Sequence, residues 1–263
     1  MTENPARDSS FRALVLPKEH GSWSLAFEPV ALALLAAPSW AGAALAGATV
    51  AGFFVRRPLK LAVTLPAADA RRGAAFRWAF LFGSIAAGFL ALAGALGSWP
   101  ALWPLLAAVP FGALFLWFDL RNEMREAEAE LAGSTAFALA PAAFATLAGW
   151  TAAPAFALAA FAVARNVPTV LAVRCYLRLQ KRQPTSAAGA IVTAGFTTGV
   201  IAVLARQGLM PGVALALSFL LLARTLCLVL PIRPDWPAKR IGMLEAVLGL
   251  VCVLGLGLAY RLG

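Results

Sequence analysis

"AAFRWAFLFGSIAAGFLALAGAL", residues 74–96, is a run of 23 positions with one charged side chain, Arg77. As a helix rising about 1.5 Å per residue it reaches across a hydrocarbon core of roughly 30 Å. Eight further apolar runs of similar kind follow one another with short polar breaks: 22–38, 40–55, 101–118, 131–149, 154–176, 187–205, 209–230 and 240–260. Charged residues make up 13% of the 263 positions and mean hydropathy is +0.80, against about 25% charged in soluble domains. The expected fold is therefore an all-α polytopic membrane protein of about nine transmembrane helices. The run 40–55 is short enough to be tilted or re-entrant, which leaves eight spans as the other count. Residues 1–21 are expected to be a polar leader and 22–263 a single transmembrane helical domain without a soluble domain.

A net charge of +10 invites a nucleic-acid reading, but the placement of the cations argues against it. With the amino terminus inside, 20 of the 22 Lys and Arg residues fall at or near cytoplasmic breaks, and only Arg206 and Arg261 fall on the opposite face. That is the positive-inside pattern. It predicts a multi-pass protein of the inner (cytoplasmic) membrane, amino terminus in the cytoplasm, with the bilayer and not nucleic acid as its partner. A twenty-residue polar leader and an intramembrane Glu28-Pro29 fit a cleavable export signal poorly. Cys175, Cys227 and Cys252 show no CxxC or metal-ligand spacing and read as small core residues.

Ionisable side chains within a span cost roughly 2.5 to 3.5 kcal/mol on insertion scales, so each needs a partner or a task. Glu28, Arg165, Arg224 and Glu245 qualify. Two acids and two bases are able to neutralise one another. In "LPKEHGSW", residues 16–23, His20 heads a stripe continued by Ser24 and Glu28 at every fourth position. Pro29 cannot donate to the carbonyl of Leu25, so the helix is expected to kink there and leave an acceptor free. An imidazole titrates near pH 6.5 and suits acid–base work, which makes His20 and Glu28 the candidate proton acceptors.

In "ARNVPTVLAVRCYLR", residues 164–178, Arg165, Thr169 and Tyr176 share a helical face, while Arg174, Arg178 and Lys181 form a neighbouring basic stripe. Guanidinium forks bind phosphate bidentately. Arg56 and Arg57, at the stop of the second run, Arg165 with Asn166, Arg174, Arg224 and Glu245 are accordingly the candidate substrate-binding set. In "WFDLRNEMREAEAELAG", residues 117–133, Asp119, Glu123, Glu126 and Glu130 would form one acidic stripe on a helix. Asp119 and Glu123 are the candidate ligands for Mg²⁺, an ion that wants hard oxygen donors. The cofactor is otherwise open. A solvated acidic face paired with Arg121 and Arg125 explains the same run.

"LPKEHGSW", "RRPL" after the second run, the acidic run ending "ELAG", "RNVPTVLAVRCYLR" and "KRIGMLE" before the ninth run together resemble the YwiC-like integral membrane proteins of bacteria. The resemblance implies a polytopic inner-membrane protein and prescribes no reaction. A looser similarity is to nine-helix membrane prenyltransferases of the 4-hydroxybenzoate polyprenyltransferase type. Those carry N-x-x-x-D-x-x-x-D and D-x-x-x-D motifs after their second and sixth helices, where this chain is basic apart from Asp69.

Three functions follow. A prenyltransferase-like enzyme would bind an isoprenoid or lipid phosphate in a polar, basic, cytoplasm-facing intramembrane pocket. A transporter would use the same charges for a small anion or a proton. A non-catalytic assembly subunit would use them to specify helix packing.

Overall fold

Each apolar run falls on helix in the computed structural model, which describes residues 14–16, 21–123 and 126–262. The helices are α1 (Gly21–Ala36), α2 (Trp40–Thr64), α3 (Ala70–Leu96), α4 (Leu105–Leu120), α5 (Ala127–Leu139), α6 (Pro141–Leu147), α7 (Ala152–Gln180), α8 (Ala188–Arg206), α9 (Val213–Val229) and α10 (Ala238–Leu262), with a 3₁₀ turn at Trp99–Leu102. Among the described residues there is no β-strand. Pro141 ends α5 and starts α6 after a break at Ala140, and the two read as one 21-residue rod.

Five rods are long and apolar enough to cross a membrane: α3, Ala127–Leu147, α7, α8 and α10; α1, α4 and α9 are apolar but shorter. Large apolar side chains point outward on the peripheral helices, among them Phe76, Phe80 and Leu96 of α3 and Leu106, Val109 and Trp117 of α4. In water so extensive an apolar exterior would drive association; against lipid it is the outer surface of the bundle.

The second run is not short. α2 continues through "RRPLK" to Thr64, 25 residues in all, with Pro58 inside it. Charged residues end the apolar run without ending the helix, because Arg56 Nε and Lys60 Nζ meet Asp119 of α4 at 2.7 and 2.8 Å. The acidic stripe expected on one helix is also corrected. α4 stops at Leu120, Asn122 takes a left-handed φ of 62°, and α5 starts at Ala127, so Asp119 and Glu130 lie on different helices.

Caps set the other boundaries. Ser39 accepts the Gly42 N–H at 2.9 Å to start α2, and Asp69 accepts the Arg71 N–H at 2.8 Å to start α3. Gly149 and Gly208 supply φ values of 88° and 70° where the chain reverses.

α7 is the central element, its middle buried on most sides and packed against α5, α6, α8 and α9, with α1 and α10 also touching it. α1 and α10 pack closely, Gly257 of α10 leaving room for Leu35. α2 and α3 form a long antiparallel hairpin in which Gly47 lies against Phe89. At one end of the bundle, ion pairs and hydrogen bonds join the turns. Arg56–Asp119 joins α2 to α4, Arg174–Glu130 (2.9 Å) joins α7 to α5, and Tyr176 and Gln180 hold the loop before α10. We refer to this as the polar end.

Candidate functional site

The cost of charge inside an apolar bundle predicts that intramembrane acids and bases seek one another. The structure brings together the four found in the sequence, from four helices: Glu28 on α1, Arg165 on α7, Arg224 on α9 and Glu245 on α10. Counting residues at about 1.5 Å each, the quartet lies roughly 10 Å in from the polar ends of α1 and α10.

Arg165 is the hub. Its Nη1 donates to Glu245 Oε2 at 3.0 Å and to Thr169 Oγ1 at 2.6 Å, its Nη2 donates to the Glu245 carbonyl at 2.7 Å, and its Nε lies 3.3 Å from Glu28 Oε2. Arg224 Nη2 reaches Thr169 Oγ1 at 2.6 Å and Glu245 Oε2 at 3.2 Å. Thr169 returns its own proton to the Arg165 carbonyl, as a helix threonine does four residues on. Two carboxylates balance two guanidinium groups.

The acids are held unequally. Glu245 faces both arginines, whereas Glu28 faces Arg165 and accepts from Ser24, one turn nearer the polar end. Space for Glu28 comes from α10: a Cβ at Gly249 would overlap its carboxylate.

Asn166 sits beside Arg165 with no exposure. Its amide donates to the Leu25 carbonyl at 3.1 Å and to the Ser134 carbonyl at 3.3 Å. Leu25 is the acceptor that Pro29 cannot serve, and α1 runs unbroken through that proline. Instead of a free carbonyl lining a pocket, the structure shows a side-chain amide filling the gap.

A polar intramembrane pocket of substrate size is not what surrounds these groups. Glu28, Arg165, Asn166 and Cys252 border a cavity of about 10 Å³, room for about one water molecule. Several buried atoms at the cluster have no hydrogen-bond partner among the described residues: Asn166 Oδ1, Glu245 Oε1, and Arg224 Nε and Nη1.

The remaining candidates lie elsewhere at the polar end. Arg56 is bound to Asp119 and stacks over the Phe115 ring at 4.7 Å. Arg57 donates to the Leu16 carbonyl, and Arg174 pairs with Glu130. Asp119 is buried with one oxygen on Arg56 and the other on Lys60, while Glu123 is exposed in the turn after α4. The two proposed Mg²⁺ ligands thus face different surroundings, and among the described residues no three His, Cys, Asp or Glu side chains gather as metal ligands. Tyr176, three turns along α7 from Arg165, binds the loop and not the quartet, lying 2.8 Å from the Pro234 carbonyl and 2.9 Å from that of Trp236. His20 lies outside the described residues.

Thr169 as the shared acceptor of two guanidinium groups was legible only as a face-mate of Arg165. Gly249, which makes room for Glu28, was missed; its one signal is its place one turn after Glu245, on a helix that carries three other glycines.

Comparison with known proteins gives one family similarity and no activity. Residues 16–145 match the family model described as YwiC-like protein. That stretch contains Glu28, Arg56 and Asp119 and stops before Arg165, Arg224 and Glu245. No curated protein and no solved structure matches the chain. Over residues 16–145, just under half its length, the chain is similar to the YwiC-like protein family.

Proposed function

We infer that this is a nine-span inner-membrane protein, amino terminus in the cytoplasm, that moves a small anion together with a proton, the buried quartet being its coupling site. Nine spans are the five long apolar rods, the three shorter ones and α2. Alternating them puts the basic turns on one side, which the positive-inside rule assigns to the cytoplasm. The inner-membrane location rests on the resemblance to the bacterial family.

The unequal hold on the two acids carries the reading. Glu245 is fixed by two guanidinium groups at 3.0 and 3.2 Å, and Glu28 by Arg165 at 3.3 Å. Glu28 is therefore the acid held by fewer cations, with Ser24 beside it toward the polar end. A neutral Glu28 leaves one acid against two arginines. The surplus positive charge and the two Arg224 donors without a partner among the described residues then suit an anion, once the helices part to admit it. Proton and anion each raise the affinity for the other, as linkage requires.

Proteoliposomes containing the purified chain test this with inorganic phosphate and chloride as probes. Uptake accelerated by an inward proton gradient, and gradient-independent in Glu28→Gln, is expected. Absence of protein-dependent flux of either anion, with or without a gradient, removes the reading.

A second reading, binding or transfer of an isoprenoid or lipid phosphate, is favoured by an apolar groove of about 280 Å³ between α5, α7 and α8, lined by Leu139, Phe156, Ala159, Val163, Phe196 and Val200. A hydrocarbon chain fits such a surface. Mg²⁺ would have to compete with Arg56 and Lys60 for Asp119. Mass spectrometry of the extracted protein distinguishes the readings: a co-purifying isoprenoid phosphate supports this one.

A further inference from the structure

Between Glu130 and Glu245 the sequence carries a single acid, Asp235, and at the polar end that acid stands among six cations: Arg178, Lys181 and Arg182 at the end of α7, and Arg233, Lys239 and Arg240 around the turn into α10. Tyr176 and Gln180 knit these two segments together. The Tyr176 hydroxyl accepts the Trp236 N–H at 2.8 Å, and the Gln180 amide donates to the Trp236 carbonyl at 2.7 Å and to Asp235 at 3.2 Å. The cations belong to one fixed corner of the fold. Arg178, Lys181, Arg182, Lys239 and Arg240 are exposed. In contrast to Arg56 and Arg174, none of the six is in an ion pair with a described acid.

Below the cations lies hydrocarbon-facing surface. Met243, Val247, Leu250, Leu254 and Leu258 of α10 are all exposed and spaced at helical repeat, a stripe that begins three residues after Arg240. Ile232, 79% exposed, sits in the turn itself. A ligand complementary to this corner has an anionic head level with the cations and an apolar tail along α10. A soluble anion leaves the stripe unused, and a nucleic acid has no tail to offer it.

We propose that the α7–α10 corner is a binding surface for anionic phospholipids of the cytoplasmic leaflet, the phosphate-bearing headgroup resting on Lys181, Arg182, Lys239 and Arg240 and the acyl chains lying along α10. The site is independent of the quartet and of the transport reading.

The test is native mass spectrometry of the full chain exchanged into mixed micelles with equal phosphatidylglycerol and phosphatidylcholine. Preferential retention of phosphatidylglycerol is expected. Each cation removed lowers that preference about fivefold, so the pairs K181Q/R182Q and K239Q/R240Q each nearly abolish it, whereas R206Q/R261Q, at the opposite end, keeps it. Equal retention of both lipids by the unsubstituted protein, or equal loss in all three variants, overturns the proposal. So does an oligonucleotide that binds the unsubstituted protein and displaces phosphatidylglycerol. Thermal shift of the unsubstituted protein gives a second readout: stabilisation by phosphatidylglycerol and none by inorganic phosphate is expected, and the reverse order overturns it.

Discussion

The side-chain amide of Asn166 on α7 lies 3.1 Å from the carbonyl of Leu25 on α1, the acceptor that Pro29 deprives of its intrahelical donor. A proline in a membrane helix leaves a polar group that lipid cannot satisfy, and another helix has to supply the missing hydrogen. This contact places α1 against the helix that carries Arg165. It defines where Glu28 stands.

Asn166→Ala is expected to lower stability by about 1 to 3 kcal/mol, the cost of a buried acceptor left without a partner. Thermal unfolding in detergent measures it, and an unchanged midpoint would show that the Leu25 carbonyl finds another donor.

Gly249→Ala is expected to displace the Glu28 carboxylate, since the added carbon overlaps it. The loss should shrink when Glu28 is also alanine. A double-mutant cycle reads the coupling; additive effects would mean that the two residues do not share the space.

Arg165→Lys should behave like Arg165→Gln. Arg165 serves Thr169, the Glu245 carboxylate and carbonyl, and Glu28 from three separate nitrogens. An ammonium cannot reach that spread of acceptors. Near-normal stability of the lysine variant would contradict the hub role.

Asp119→Asn is expected to cost more than Arg56→Gln or Lys60→Gln alone, because it leaves two cations facing one neutral amide in a site where Asp119 is buried. Equal unfolding midpoints for the three variants would place the pairs in solvent.

The Arg71 side chain, hydrogen-bonded to Asp69, and the Arg71 backbone N–H hold that carboxyl below its ordinary range. A lowered folded value contributes stability that is full above the unfolded pKa of about 4 and is lost as pH falls through the folded value. Acid titration of wild type against Asp69→Asn should therefore show the wild-type advantage at neutral pH and its disappearance in strong acid. A gap that persists unchanged would remove the carboxylate from the cap.

The helical runs were legible because twenty apolar residues in a row have few alternatives. Glu28, Arg165, Arg224 and Glu245 were legible for a related reason: charge in such runs is costly enough to require company. Geometry between helices was not. That α2 continues past Arg56 depends on Asp119, over 60 positions later. The break after Leu120 lacks a glycine or proline to announce it, Asn122 supplying the left-handed residue. The acceptor freed by Pro29 was readable from one proline, but its donor came from a helix 141 residues away.

The pairing of Arg165 and Arg224 with Glu28 and Glu245 also fixes an order of manufacture. A ribosome that has delivered Arg165 and Arg224 to the membrane has so far delivered one intramembrane carboxylate, Glu28, to set against them. Electroneutrality waits for α10. Until that helix enters, the nascent bundle holds a guanidinium without its carboxylate, and the charge balance of the quartet is completed by the segment bearing Glu245.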